Sequence, residues 1–153
     1  MRSCYGRWSV GTRDEEAPAE GVDCFLFMHH PPFDTGPKAM ERIGLTERDA
    51  FWQVLSPHAA RIRHVFFGHG HRPVMGSWRG IGFATSRAIN HQVWFDLTSE
   101  DQTPGSFESP AYAIVLVDAE RLVVHPHDFL DASPKFALED SPVDDWIKAH
   151  IEA

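Results

Sequence analysis

An α/β domain built on a mixed sheet is the fold class that this sequence predicts. Three observations carry it. Two short apolar runs, Phe25-Leu26-Phe27-Met28 and His64-Val65-Phe66-Phe67, each stop abruptly at histidines. A helix-patterned stretch lies between them. The region beyond the second run breaks into short strand-like segments, of which Tyr112 to Val117 and Leu122 to His127 read as a β-hairpin joined by Asp118-Ala119-Glu120-Arg121. The first half therefore reads β-loop-α-β and the second half as an antiparallel meander, which makes a mixed sheet with helices and excludes a helical bundle.

The elements follow in order. Residues 1–21 have weak periodicity and an acidic, proline-interrupted stretch from Asp14 to Gly21, so they read as a surface lead-in to a first strand at Asp23 to Met28. His29 to Gly44 is punctuated by proline and glycine and reads as a loop. Thr46 is placed to cap a helix, with Asp49 three residues on, close to a capping box. Phe51, Trp52, Val54 and Leu55 give that helix its apolar side, and Ser56-Pro57 interrupts it before the second strand at His64 to Phe67. Val74 to Trp78, Ile81 to Ala84 and Val93 to Leu97 are short strands. Thr98 to Ser109, polar and carrying Pro104-Gly105, reads as a mobile loop, and Pro142 to Ile151 as a closing amphipathic helix with proline in its first turn. Phe51, Trp52, Phe66 and Phe67 are the expected core aromatics.

Composition narrows the function. The chain has 153 residues, 42% hydrophobic and 24% charged, enough for one globular domain. A net charge of -8 argues against a nucleic-acid-binding surface. No apolar run approaches the roughly 18 residues of a membrane span, and the N-terminus lacks the apolar core of a secretory signal. Cys4 and Cys24 are the only cysteines and are expected as free thiols in a cytoplasmic protein. Cys24 falls inside an apolar strand, where a thiol acts as a small hydrophobe.

The chemistry is concentrated in His29-His30-Pro31-Pro32 and Gly68-His69-Gly70-His71. Strands that end in imidazoles deliver them to the carboxyl edge of a sheet, where α/β proteins gather ligands, and convergent imidazoles suit a transition metal. Gly68 and Gly70 leave room for the backbone to turn, so His69 and His71 can diverge toward two ions. Taken singly, each motif is also compatible with an ordinary loop carrying incidental histidines. Together they share one architecture of four apolar residues followed by histidine.

On Met28-His29-His30-Pro31-Pro32, Gly68-His69-Gly70-His71 and, more weakly, Asn90-His91-Gln92-Val93, the sequence resembles the calcineurin-like metallophosphoesterase superfamily, in its class III cyclic-nucleotide and glycerophosphodiester phosphodiesterase branch. The hairpin Tyr112 to His127 matches that branch's closing strands. The resemblance implies a four-layer α/β/β/α sandwich of mixed sheets around a dinuclear centre of Fe, Mn, Zn or Co that hydrolyses a phosphoester. It assigns His29 and His69 to one metal and His71 to the other.

The family's Asp-x-His, Gly-Asp and Gly-Asn-His-(Glu/Asp) motifs do not occur in residues 1–28. The resemblance thus covers only the C-terminal half of the family domain, at residues 22–130, with the N-terminal βαβ units missing and residues 131–153 as a tail with the closing helix. At most one metal is expected on such a half. Two functions follow as expectations: a phosphodiesterase present as an incomplete half, or a non-catalytic remnant or assembly partner of a separate N-terminal half. Both apolar strands look apolar on both faces, as central strands are, so self-association or pairing with an N-terminal half is expected.

Other residues are open between two roles. His30 orients His29 or a substrate oxygen, or is a plain turn histidine. Arg72 reaches a phosphate or is solvated at a loop end. His91 lies near the substrate or in an ordinary loop. His125 and His127, two apart on a strand, are expected on an exposed face, and His58 and His64 are expected to be structural.

Overall fold

The computed structural model describes residues 23–140 and 143–151. The lead-in segment 1–21 and Cys4 lie outside the described residues. The elements run β1 (Cys24–Met28), α1 (Lys38–Glu41), α2 (Arg48–Leu55), a 3₁₀ turn (Ser56–Arg61), β2 (Ile62–Phe67), β3 (Met75–Trp78), β4 (Ile81–Ala84), β5 (Gln92–Val93), β6 (Gly105–Ser106), β7 (Ala111–Val117), β8 (Leu122–Asp128), a second 3₁₀ turn (Leu138–Asp140) and α3 (Val143–His150). The fold is mixed α/β.

The largest sheet has the order β1-β2-β4-β3. β2 is parallel to both β1 and β4, while β3 runs antiparallel to β4. The β3–β4 hairpin closes through Arg79 and Gly80, both at positive φ (51° and 83°), the backbone that a two-residue hairpin loop needs to match strand twist. Arg79 tolerates it with its guanidinium 4.5 Å from the Trp52 ring centre. β5–β6 and β7–β8 form two further two-stranded sheets. The expected continuous meander is therefore three separate antiparallel pairs, with the parallel β2–β4 contact drawing the first pair into the main sheet.

Alternation along β2 decides the packing. Val65 and Phe67 point to one face and, with Ile81 and Phe83 of β4, form the buried cluster. Phe33, Trp52 and Trp78 cover it, which places α2 over this face. His64 and Phe66 point to the other face, where Phe66 meets Phe25 and Phe27 of β1. Of the four expected core aromatics only Phe67 is fully buried; Phe51, Trp52 and Phe66 are half-buried. β2 is central, as its two apolar faces suggested. β1 is not: it forms the sheet edge among the described residues, and Phe27 stands 72% exposed.

Three local expectations are corrected by tertiary contacts. The helix starts at Arg48 with Glu47 at the cap position and no side-chain cap bond. Arg48 instead anchors the helix start through its own side chain, donating to the Leu45 carbonyl (2.9 Å) and pairing with Glu41 and Asp34. Ser56-Pro57 does not interrupt the helix but opens the 3₁₀ turn that continues it. The loop Thr98 to Ser109, expected to be mobile, contains β6 and is tied to the α1 region by Lys38–Glu100 (2.6 Å) and Arg42–Asp101 (3.6 Å).

The two faces of the sheet should respond differently to truncation. Phe67→Ala should cost about 3–5 kcal/mol, since its cavity is walled by Phe33 and Phe83. Phe27→Ala should cost about 1 kcal/mol or less. Urea unfolding of the two variants measures the difference, and equal losses would contradict the packing described.

Candidate metal centre

β1 and β2 end level with each other: the parallel register pairs Phe27 with Phe66 and Met28 with Phe67. The next step is held by a backbone bond, Gly68 N–H donating to the His29 carbonyl at 3.1 Å. Both histidine motifs therefore leave the same carboxyl edge of adjacent strands. One donor atom from each of His29, His30 and His69 lies within 4.8 Å of the other two. The rings touch, with centroid separations of 4.7 Å for His29–His30, 5.4 Å for His29–His69 and 4.4 Å for His30–His69.

The turning in the second motif is done by the histidines and not by the glycines. His69 (φ 62°) and His71 (φ 47°) are left-handed, while Gly68 and Gly70 are not among the residues of positive φ. Non-glycine residues in this region cost of order 1 kcal/mol or more, and the Gly70 N–H bond to the Gly68 carbonyl (2.7 Å) holds the turn. As a result the two side chains part company. His69 turns inward to His29 and His30. His71 turns outward, its Nδ1 2.9 Å from the His91 carbonyl and its ring 4.7 Å from the His91 ring.

The inward cluster has the electrostatics of a ligand set. Burial, then the neighbouring His30 and His29 rings, push His69 down to about 4, with a hydrogen bond to the Met40 carbonyl opposing them. Nε2 of His69 is buried without any hydrogen-bond partner. Burial, then His29, also lowers His30. Imidazole donors of this kind fit a borderline transition metal. The donor set holds no carboxylate: Glu41 lines the same small cleft as Pro31, Met40 and His69, but its oxygens accept from Thr35 N–H (2.6 Å), Gly36 N–H (3.1 Å) and Arg48 (3.2 Å).

The remaining candidates are placed as follows. Arg72 donates to the Val93 carbonyl at 2.8 Å, pairs with Glu108 at 3.6 Å and lies over the Phe95 ring, so it braces β5 against the motif loop. His91 is exposed at the rim beside His71. The working residue of Asn90-His91-Gln92 is Gln92, fully buried, whose amide both accepts from and donates to the Ala88 backbone (2.9 and 2.8 Å). His125 and His127 are exposed on β8. His64 is half-buried with burial lowering it, its ring against Phe66 and so close to Gly82 that a Cβ there would stand 2.9 Å from Nδ1. Sequence reading missed the Met40 carbonyl and the Glu41–Arg48 latch, both set by the single turn α1 inside what looked like plain loop; backbone carbonyls leave no signature in a sequence.

The depressed His69 value has a stability consequence with a definite sign. Between its ordinary 6.5 and about 4, the unfolded chain binds a proton that the folded chain does not, so stability rises with pH across this window and falls on acidification. The denaturant midpoint of the metal-free protein should drop from pH 6.5 to pH 4, and His69→Gln should flatten that dependence. An unchanged slope in the variant would place the titration elsewhere.

No protein-family model matches the chain. The chain is similar to a protein of Rhodopseudomonas palustris named as a probable cyclic nucleotide phosphodiesterase, with 48% identity over 126 residues. The match takes in 82% of this chain and 45% of the relative, so the chain spans less than half the length of the protein it matches. Wherever it begins, a stretch of 126 residues in a chain of 153 includes residues 28–126, and so both histidine motifs and Asn90-His91-Gln92. The histidine cluster thus lies inside the region of likeness to a protein named as a phosphodiesterase.

Proposed function

We infer that this chain carries the histidine half of a metal-dependent phosphodiesterase centre of the calcineurin-like metallophosphoesterase type, acting on a cyclic-nucleotide or glycerophosphodiester linkage. The observation that supports it most is the His29–His30–His69 cluster, with one donor atom of each ring within 4.8 Å of the others, within the stretch that resembles a named phosphodiesterase. His29, His30 and His69 would hold one ion of the Fe, Mn, Zn or Co class, and His71 would serve a second in a complete four-layer domain. Such ions supply Lewis acidity toward phosphoryl oxygens and lower the pKa of a bound water.

The chain's own residues do the rest. The Met40 backbone, on α1, opposes the burial that lowers His69. Buried Pro31 and Pro32 fix the turn that carries His29 and His30. His91, exposed at the rim against His71, stands where a substrate oxygen would enter. The cluster is all imidazole, and this one fact sets the limit on what the chain does alone. Two dications about 4 Å apart repel by about 16 kcal/mol even at an effective dielectric near 20, and among the described residues no carboxylate joins the cluster to offset that. One ion per chain and little turnover follow, which also favours a second reading, a folded assembly partner whose catalytic carboxylates come from other polypeptide.

Cobalt(II) titration tests the assignment. One site per chain should appear in the visible spectrum, lost in His29→Ala and His69→Ala and intact in His125→Ala. His30→Ala should weaken it by at least the roughly tenfold that loss of an outer-shell partner costs; equal loss in all four variants would refute the cluster. Inorganic phosphate should shift the bound-cobalt spectrum, and an unmoved spectrum would count against a phosphoester site. The chain alone should hydrolyse bis(p-nitrophenyl) phosphate barely above background, and brisk metal-dependent turnover would overturn the half-site reading.

A further inference from the structure

Gln92 has 0% of its surface exposed. An amide buried so deeply costs free energy unless its groups are paired, and an apolar side chain of similar length would fill the space without that cost. The pairing is specific. Ala88 N–H donates to Gln92 Oε1 at 2.9 Å, and Gln92 Nε2 donates back to the Ala88 carbonyl at 2.8 Å. The side chain thus closes the turn Ala88-Ile89-Asn90-His91, while its backbone lies in β5 opposite Ser106 of β6. Inside the turn, Asn90 Oδ1 accepts from the His91 N–H at 2.8 Å. One buried residue therefore ties the turn that carries His91 to a strand pair that does not depend on the histidine motifs.

β5 is used on both edges. On the β6 side, Trp94 N–H donates to the Pro104 carbonyl at 2.8 Å. Successive residues of a strand turn their backbone groups to opposite edges, and the carbonyls on either side of Gln92 serve the motif loop. His71 Nδ1 lies 2.9 Å from the His91 carbonyl, and Arg72 donates to the Val93 carbonyl at 2.8 Å. A carbonyl only accepts, so the ring nitrogen facing it carries the proton and Nε2 of the neutral ring keeps its lone pair. We propose that Gln92 is the positioning residue of His71: by closing the turn 88–92 it presents the His91 carbonyl to the ring and holds Nε2 free for a second ion. The inference rests on the reading of His71 as a ligand in a complete domain, where the second nitrogen of a ligating histidine is held by such a partner.

The test reads the ring nitrogens of His71 by nuclear magnetic resonance in the full metal-free chain, at about pH 8 where an ordinary imidazole is neutral. The wild type should show the Nδ1–H tautomer. Gln92→Met, of similar length but without the amide, should lower the ratio of Nδ1–H to Nε2–H about five- to tenfold, the scale of one hydrogen bond. His91→Ala keeps the carbonyl and should leave the ratio unchanged. If Gln92→Met loses its circular dichroism, Gln92→Glu carries the test, since it still accepts from the Ala88 N–H and cannot donate to the Ala88 carbonyl; a reduced ratio is expected there too. A Gln92 that only stabilises the fold would lower the denaturant midpoint and leave the tautomer ratio as it was, and that result overturns the proposal. An Nε2–H tautomer in the wild type, or a ratio lost in His91→Ala, overturns it as well. Cobalt titration of the wild type is read separately: its failure would overturn the metal reading, whereas cobalt binding with a tautomer indifferent to Gln92 would overturn this inference alone.

Discussion

Everything chemical in this protein depends on the parallel register of β1 with β2. Met28 opposite Phe67 ends the two strands level, and the Gly68 N–H to His29 carbonyl bond carries the alignment one step into the loops. The register is enforced from the core side. A slip of one residue would exchange the faces of β2, turning Val65 and Phe67 out of the cluster and His64 and Phe66 into it. The same slip would put the histidine motifs out of step by about 3.3 Å, enough to separate rings whose centres now lie 4.4–5.4 Å apart. Core packing and site assembly are thus one constraint.

Around that edge the loops hold polar groups in costly positions. His69 sits in left-handed backbone with a buried, unpaired nitrogen, a combination that is costly unless a ligand can use it. Loop 29–44 is held rigid enough to present it. Glu41 gathers the Thr35 and Gly36 amides and Arg48, and Arg48 reaches Asp34 and the Leu45 carbonyl. Burial raises Glu41, with Asp34 adding to the effect, while bonds from Glu41 and Arg48 lower Asp34. These partly exposed ion pairs contribute little stability each; together they tie α1 and the loop before it to the start of α2. On the far side Glu108 links Arg72 with Arg87, which also reaches Asp128, so that β5 and the β7–β8 hairpin are fixed to the motif loop.

Two incomplete features coincide. The donor cluster has imidazoles and no carboxylate, and the sheet beneath it has one closed and one open face. Both lie on the same two strands, since β1 and β2 carry the histidine motifs at their carboxyl ends and the Phe25–Phe27–Phe66 rings on that open face.

The local elements and the two strand-end histidine motifs were legible before any fold was known, because hydrophobic alternation and abrupt apolar-to-histidine transitions are properties of neighbouring residues. β1, β2, β4 and the β7–β8 hairpin lie close to where their patterns put them. Which residues meet was set by the packed chain. That His30 joins His29 and His69 while His71 turns to His91 follows from backbone angles at two non-glycine positions, which no spacing rule encodes. That α2 starts on an arginine latch and not on the Thr46 cap, and that Thr98 to Ser109 is tied down, follows from ion pairs between segments 7 to 62 residues apart. β1 has the two apolar faces of a central strand and, as expected for a strand without an upstream neighbour, lies at an edge among the described residues, because burial of a strand is decided by its neighbours in space and not by its own composition.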